Sequence, residues 1–303
     1  MSRNLRNSSL TEARDLLLPH GQGLSAFDDS RLVAQAVAIV ALTGSDDAVT
    51  EILVHGFFGG SRERFEEHIA PQLVLLDGGS FEMGSVGEEP THFCGESPRH
   101  RVQLSPCGIA RHAVTNELFS IFDRTRVDLP LRNRHKPVVG VTWLEAFIFA
   151  LWMGCRLPTE AEWEFACGAG AVSEWCCADE RELSRYAWHS ENARGEVRPV
   201  GTRWPNALGL FDLHGNVWEW CLDTYDADYF RSSPSLDPVC VGPDWPGDPR
   251  GIRHNVCRGG SVHSLSEMCR TRYRFHEPAD FSAADLGFRV AAAVTTTEGG
   301  DSA

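Results

Sequence analysis

The sequence predicts an α+β fold with little regular secondary structure, preceded by a small helical module. Three observations predict it. Across 303 residues, 28 Gly and 16 Pro are spread along the whole chain, which breaks it into short elements and excludes a long coiled coil or helical bundle. All nine Trp lie between Trp143 and Trp245, so the large aromatic core belongs to the later part of the chain. Residues 10–70, by contrast, carry a series of helix start and stop signals. Apolar residues at 42% and charged residues at 23% are ordinary globular values, and 10% aromatics is too rich for a disordered chain.

Taken in order, Thr11-Glu-Ala-Arg-Asp-Leu-Leu-Leu18, Asp29-Ser30 ahead of the apolar run from Leu32, Asp46-Asp47 ahead of Val49, and Ser61 ahead of Arg62 each place a capping side chain before a helical pattern. Gly44 and Gly59-Gly60 suit helix stops, so residues 1–70 read as a module of three or four helices. From Leu73 the pattern changes to short β runs, Leu73–Leu76, Gly79–Gly84 and Arg101–Leu104. Two capping boxes interrupt it. Thr142 with Glu145, and Thr159 with Glu162, have the spacing at which a Thr hydroxyl and a Glu carboxylate satisfy each other's backbone N–H groups, which predicts helices at 143–153 and 160–167. A shorter helix is expected from Asn116 to Asp123, and residues 293–303 read as a frayed tail.

The balance of 42 acidic against 28 basic residues gives a formal charge of −14 with no basic patch, which argues against nucleic acid or an anionic membrane as partner. The longest apolar stretch, Leu32 to Leu42, is interrupted by Gln35 and falls short of the about 20 residues needed to span a bilayer. Met1 to Leu10 is polar where a secretory signal needs an apolar stretch, so the expected location is the cytoplasm. There the ten cysteines would be thiols; none forms a Cys-x-x-Cys pair, and most read as small buried hydrophobes.

The blocks Asp77-Gly-Gly-Ser-Phe-Glu-Met-Gly84, Ala113-Val-Thr-Asn-Glu117, Pro137-Val-Val-Gly-Val-Thr-Trp143, Arg156-Leu-Pro-Thr-Glu-Ala-Glu-Trp-Glu164, Pro205-Asn-Ala-Leu-Gly-Leu-Phe-Asp212, Gly215-Asn-Val-Trp-Glu-Trp220, Arg258-Gly-Gly-Ser261 and Leu286-Gly-Phe-Arg-Val290 resemble, in order and spacing, the signature of the formylglycine-generating enzyme (sulfatase-modifying factor) family. The resemblance covers residues 72–292 and leaves the helical module outside. It implies a compact domain related to the C-type lectin fold. The family's enzymes bind Cu(I) through two cysteine thiolates and use oxygen to oxidise a sulfatase cysteine to formylglycine, and soft thiolates suit Cu(I). Those two places, three and eight residues after the Ser of the Arg-Gly-Gly-Ser block, are here Ser264 and Cys269. One thiolate remains, and a serine hydroxyl is a hard ligand that would not hold Cu(I). Cys257 or His263 could complete a rearranged copper site; otherwise Cys269 is a packed thiol.

The resemblance also implies a structural calcium held by Asp212, the carbonyls of Gly215 and Val217, and Glu219. Hard oxygen ligands from one short segment suit Ca²⁺; the alternative is an acidic turn answered by Arg or backbone N–H groups. A second family calcium would use Asn192 and the carbonyl of Ala193, but the segment before Pro199-Val-Gly201 is shortened. The related ergothioneine-type sulfoxide synthases add a helical domain with a three-histidine iron site. His20, His55 and His68 show no helical pairing of that kind and read as surface or capping residues. Trp143, Trp163, Trp218 and Trp220 read as core, and Arg274, Arg289 and Glu162 or Glu164 as buried ion pairs.

Two functions follow as expectations. One is a non-oxidising module that recognises a protein partner, such as a protease, kinase or other effector, through its loop surface or the helical module in a bacterial signalling or defence system. The other is a copper-dependent oxidase acting on a cysteine in a sulfatase-type substrate.

Overall fold

A computed structural model of the chain describes residues 62–85, 95–123, 126, 130–241 and 253–294. The expected helical module therefore lies outside the described residues up to Ser61, as does the expected tail 293–303 from residue 295 on; its first residue, Ala293, instead ends a strand held by backbone pairing. Three consecutive helical pieces, Arg62–Arg64, Phe65–Ile69 and Ala70–Gln72, lead into strand β1 (Leu73–Leu76). The boundary expected near residue 70 falls inside this packed segment. Phe65 and Ile69, at helical spacing, turn to one side; Ile69 is buried in the principal core, Phe65 packs against it, and the Arg64 guanidinium lies 3.9 Å from the centre of the Trp152 ring.

β1 pairs antiparallel with β4 (Cys107–Ala110), which pairs on its other side with β9 (Ala291–Ala293). This small sheet closes the two ends of the domain on each other: Cys107 faces both Leu76 and Ala293. β2 (Gly79–Met83) and β3 (His100–Leu104) form a separate antiparallel pair. A third sheet has the order β7-β6-β5-β8, from β5 (Trp218–Thr224), β6 (His254–Arg258), β7 (Phe275–Pro278) and β8 (Leu286–Phe288), with only the β5–β8 pair parallel. Every residue of β5 is buried, although Glu219 and Asp223 are among them.

The helices are α1 (Asn116–Phe119), shorter than the predicted stretch to Asp123, then α2 (Trp143–Trp152), α3 (Glu160–Gly168), α4 (Glu180–Tyr186) and α5 (Ser190–Ala193). Both predicted capping boxes are formed: Thr142 and Glu145 open α2, and Thr159 and Glu162 open α3. Trp143 stacks on Phe147 with ring centres 4.8 Å apart and donates its indole N–H to the carbonyl of Cys221 at 2.7 Å. Trp220 donates likewise to Val141 at 3.1 Å, so both indoles bury their rings without leaving a donor unpaired. Phe149 and Phe288 meet edge-to-face at 5.5 Å and tie α2 to β8.

Three acidic residues of α3 point into the protein, and each meets an arginine from a different segment. Arg274 grips Glu160 with two hydrogen bonds at 2.7 and 2.8 Å, Arg156 grips Glu162 at 2.5 and 2.6 Å, and Arg258 bonds Glu164. Burial opposes ionisation of Glu160 and Glu162, but the facing guanidinium groups outweigh it and hold both carboxyls below the usual range. Arg289, expected to serve such a pair, instead grips Glu219 at 2.6 and 2.8 Å. Replacing Arg258 by Met leaves Glu164 buried and unpaired, and urea denaturation should show a loss of about 3–5 kcal/mol, partly recovered in the double variant with Glu164→Gln.

Asp223 behaves oppositely. Burial first, then the neighbouring Glu160, push its carboxyl up to about 7, against the N–H groups of Cys240 and Glu160. A carboxyl raised above its unfolded value contributes stability that is full near pH 4 and is lost as pH rises toward 7. The stability deficit of Asp223→Asn relative to the native protein should therefore shrink by about 2 kcal/mol between pH 5.5 and 7.5, measured by urea denaturation at both pH values.

Candidate functional site

The segment from Asp212 to Glu219 connects a loop to β5 through a coiled backbone: Asp212, Gly215 and Asn216 have φ of 58°, 81° and 62°. Gly215 passes so close to the carbonyl of Trp188 that a Cβ there would collide with it, so the residue must be glycine on two counts. The coil is fixed by Gly215 N–H donating to Gly259 at 2.7 Å and Asn216 N–H donating to Trp188 at 2.7 Å.

Asp212 and Glu219, the two side chains expected to hold calcium, are both buried. Glu219 accepts from Arg289 and, at 2.9 Å, from the indole N–H of Trp163. One oxygen of Asp212 accepts from the Gly201 N–H at 2.8 Å, while its other oxygen, Oδ1, is buried with no hydrogen-bond partner. Burial pushes the Asp212 carboxyl up to about 6, and the charge of Glu219 adds to the rise. Arg289 bonds Glu219 alone of the two carboxylates and acts on Asp212 only through its charge, which leaves Asp212 Oδ1 without a partner. The orphaned Asp212 Oδ1 is a hard donor of the kind a divalent cation takes, whereas both oxygens of Glu219 are already engaged by Arg289 and Trp163. Among the described residues no three His, Cys, Asp or Glu side chains converge on one metal position.

Asn192 and Ala193, the expected second site, are differently employed. The Asn192 amide is consumed inside its own turn, accepting from the His189 N–H at 2.9 Å and donating to the Ala187 carbonyl at 2.9 Å. The Ala193 carbonyl accepts from the Arg198 guanidinium at 2.7 Å. A positive side chain stands where a cation was expected, and these residues do not fit a calcium.

Ser264 and Cys269 belong to the stretch after β6. Ser264 is closed into a turn: its Oγ accepts from the Ser261 N–H at 2.9 Å, its N–H donates to the Ser261 carbonyl at 3.1 Å, and its carbonyl accepts from the Ser190 N–H at 3.0 Å. Cys269 ends a short helical turn, Ser266–Cys269, and its side chain is fully buried in a small cluster with Cys177, Leu183 and Ala187. Burial pushes its thiol up to about 12, so it stays protonated at neutral pH. Cys257 packs in the principal core, a different cluster from that of Cys269. His263 is exposed and lies over Gly195.

A residue the sequence did not single out links these places. His214, inside the Asp212–Glu219 coil, is fully buried; its Nδ1–H donates to the Cys269 carbonyl at 2.7 Å, and its Nε2 accepts from the Cys176 N–H at 3.1 Å. Both nitrogens are engaged in one tautomer, and burial lowers the imidazole to about 4, so it is a neutral clamp. No local motif marks it, because both partners are backbone groups far away in sequence.

The comparisons agree with this architecture. The family description "Sulfatase-modifying factor enzyme 1-like domain" matches residues 60–294. The chain is 33% identical over 250 residues to the serine/threonine-protein kinase pkn1 of Chlamydia pneumoniae, covering 74% of this chain but only 38% of that kinase. It is 30% identical to the formylglycine-generating enzyme of Streptomyces coelicolor, covering 75% of this chain and 90% of that enzyme. Among solved structures, PvdO from Pseudomonas aeruginosa superposes with a TM-score of 0.63 at 25% identity, covering 73% of this chain and 94% of PvdO. With its eight signature blocks carried on this fold, the chain belongs to the sulfatase-modifying factor, or formylglycine-generating enzyme-like, domain family.

Proposed function

We propose that this chain is a non-catalytic recognition module, a formylglycine-generating enzyme-like domain that binds a protein in a bacterial signalling or defence system. The observation that carries the reading is Ser264: the hydroxyl standing in place of a thiolate is tied into a turn, and the remaining thiol, Cys269, is buried and protonated. A hard hydroxyl takes the place of one thiolate, and Cys269 and its neighbour Cys177 are both thiols that burial keeps protonated rather than ready-made Cu(I) ligands. The kinase of Chlamydia pneumoniae, in which the matched segment is 38% of the length, supports the use of such a domain beside an effector. A cytoplasmic location accords with the nine described cysteines, which are all free thiols, and no described helix is long and apolar enough to cross a membrane.

Calcium is part of this proposal as a structural ion. Asp212 and Glu219 would hold it with the carbonyls of Gly215 and Val217, and it would neutralise the surplus carboxylate and fix the coil that leads into β5. In its presence Asp212 Oδ1 gains the partner it otherwise lacks. Millimolar calcium should raise the melting temperature above that in prolonged EDTA, and Asp212→Ala should remove the difference; identical melting of the native protein in both buffers overturns the assignment.

The second reading, a copper-dependent oxidase of a sulfatase-type cysteine, is favoured by retention of Cys269 and by the match over 90% of the Streptomyces enzyme. The two readings separate on restoring the thiol. Ser264→Cys should bind Cu(I) at least tenfold more tightly than the native protein in competition with a Cu(I) chelator. Oxygen uptake by the native protein with a sulfatase-type cysteine peptide overturns the recognition reading.

A further inference from the structure

The loop surface beside Ser264 carries a concentration of unpaired donors. From α4 the chain runs through Trp188, α5 and a loop back to Trp204, and the two arms are tied by Trp204 N–H to the Arg185 carbonyl at 2.9 Å and by the Trp188 indole to Thr202 Oγ at 2.9 Å. Ser190 joins this unit to the Ser264 carbonyl. Two guanidinium groups lie over the Trp188 ring, Arg203 at 3.6 Å and Arg198 at 5.1 Å. Four of the buried polar atoms that lack a hydrogen-bond partner fall within these few residues: Nε of Arg198, Nε of Arg203, Nδ1 of His189 and Oγ of Ser190.

The three arginines are not alike. Arg185 pairs with Glu182 at 3.2 Å, and Arg198 pairs with Glu196 at 3.5 Å and donates to the Ala193 carbonyl. Arg203 pairs with no carboxylate among the described residues. Burial and the neighbouring Arg198 both disfavour its charge. The stacking of Arg203 on Trp188 engages the face of the guanidinium and leaves the buried Nε–H without an acceptor. Beside it Trp204 is 56% exposed, its ring edge-on to Tyr186 at 5.9 Å.

We propose that Trp188, Arg198, Arg203 and Trp204 form a docking surface for an acidic segment of a protein partner, an Asp or Glu carboxylate lying between Arg198 and Arg203 with an apolar neighbour on Trp204. This rests on the recognition reading above and names the chemistry it selects. A carboxylate matches the guanidinium fork in two hydrogen bonds, and an exposed Trp beside Arg is the pairing that dominates protein interfaces. A polyanion such as nucleic acid or an anionic lipid surface would meet the chain's charge of −14 over a wide area, whereas one or two carboxylates would not.

The probe is a fluorescein-labelled nonapeptide with two Glu beside a Leu and a Phe, titrated by anisotropy against the full chain, with a twin in which Gln replaces Glu. The Glu peptide should bind, the Gln twin should bind at least tenfold more weakly, and salt should weaken the Glu peptide alone. Arg203→Gln should cost about tenfold and Arg203→Lys should restore little, since Lys lacks the fork. Arg203 gives the fold no described hydrogen bond, only its stacking on Trp188, so its variants should still unfold cooperatively within a few degrees of the native protein, and the exposed Arg132→Gln should bind normally. Equal binding of the twin, unchanged binding by Arg203→Gln, absence of binding by the Glu peptide, or a preference for phosphatidylserine vesicles each overturns the surface. None of these touches the recognition reading, which falls instead on cysteine oxidation by the native protein.

Discussion

Everything else in this domain hangs on α3, a helix of nine residues that buries three carboxylates and answers each with a guanidinium from elsewhere. Arg156 precedes the helix, Arg258 ends β6 and Arg274 lies just before β7, so the helix holds strands that are far apart in sequence. A buried ion pair contributes little net stability compared with apolar residues of the same shape, because both charges lose water. Its effect is on specificity: a fork bound to the wrong carboxylate leaves two charges unpaired, so alternative packings are heavily disfavoured. A fold with short strands and long loops has few ladder bonds to set its register, and these pairs supply that definition.

The elements most legible in the sequence were those with local causes. Thr142 with Glu145 and Thr159 with Glu162 announce their helices because a capping box needs only four residues, and Leu73–Leu76 reads as a strand from its own composition. The family blocks carried the fold because each holds a residue with a fixed task, such as Gly215 against the Trp188 carbonyl. Partner choice was not legible. Arg289 could be expected to be buried, but that it serves Glu219 across 70 residues is a property of the assembled sheet. Phe65 and Ile69 follow a helix signal like those before them in sequence, and that they pack on the core is visible only once the domain is assembled.

The candidate site shows the same division. Ser264 and Cys269 were identified by counting from Ser261, whereas their burial, the turn that engages the serine and the imidazole of His214 that joins Cys269 to the Asp212–Glu219 coil depend on contacts across the fold. Hydrogen bonds within the chain, Ser264 to Ser261 and Ser190 and His214 to Cys269 and Cys176, tie this region to the neighbouring loops.

Arg198 has a further implication. A bound ion is governed by mass action, and its hold on a loop weakens whenever its concentration drops toward the dissociation constant. The guanidinium at the Ala193 carbonyl is attached to the chain five residues away, so its local concentration never changes. The contact at the Ala193 carbonyl therefore forms with the fold itself and does not depend on the supply of any free cation.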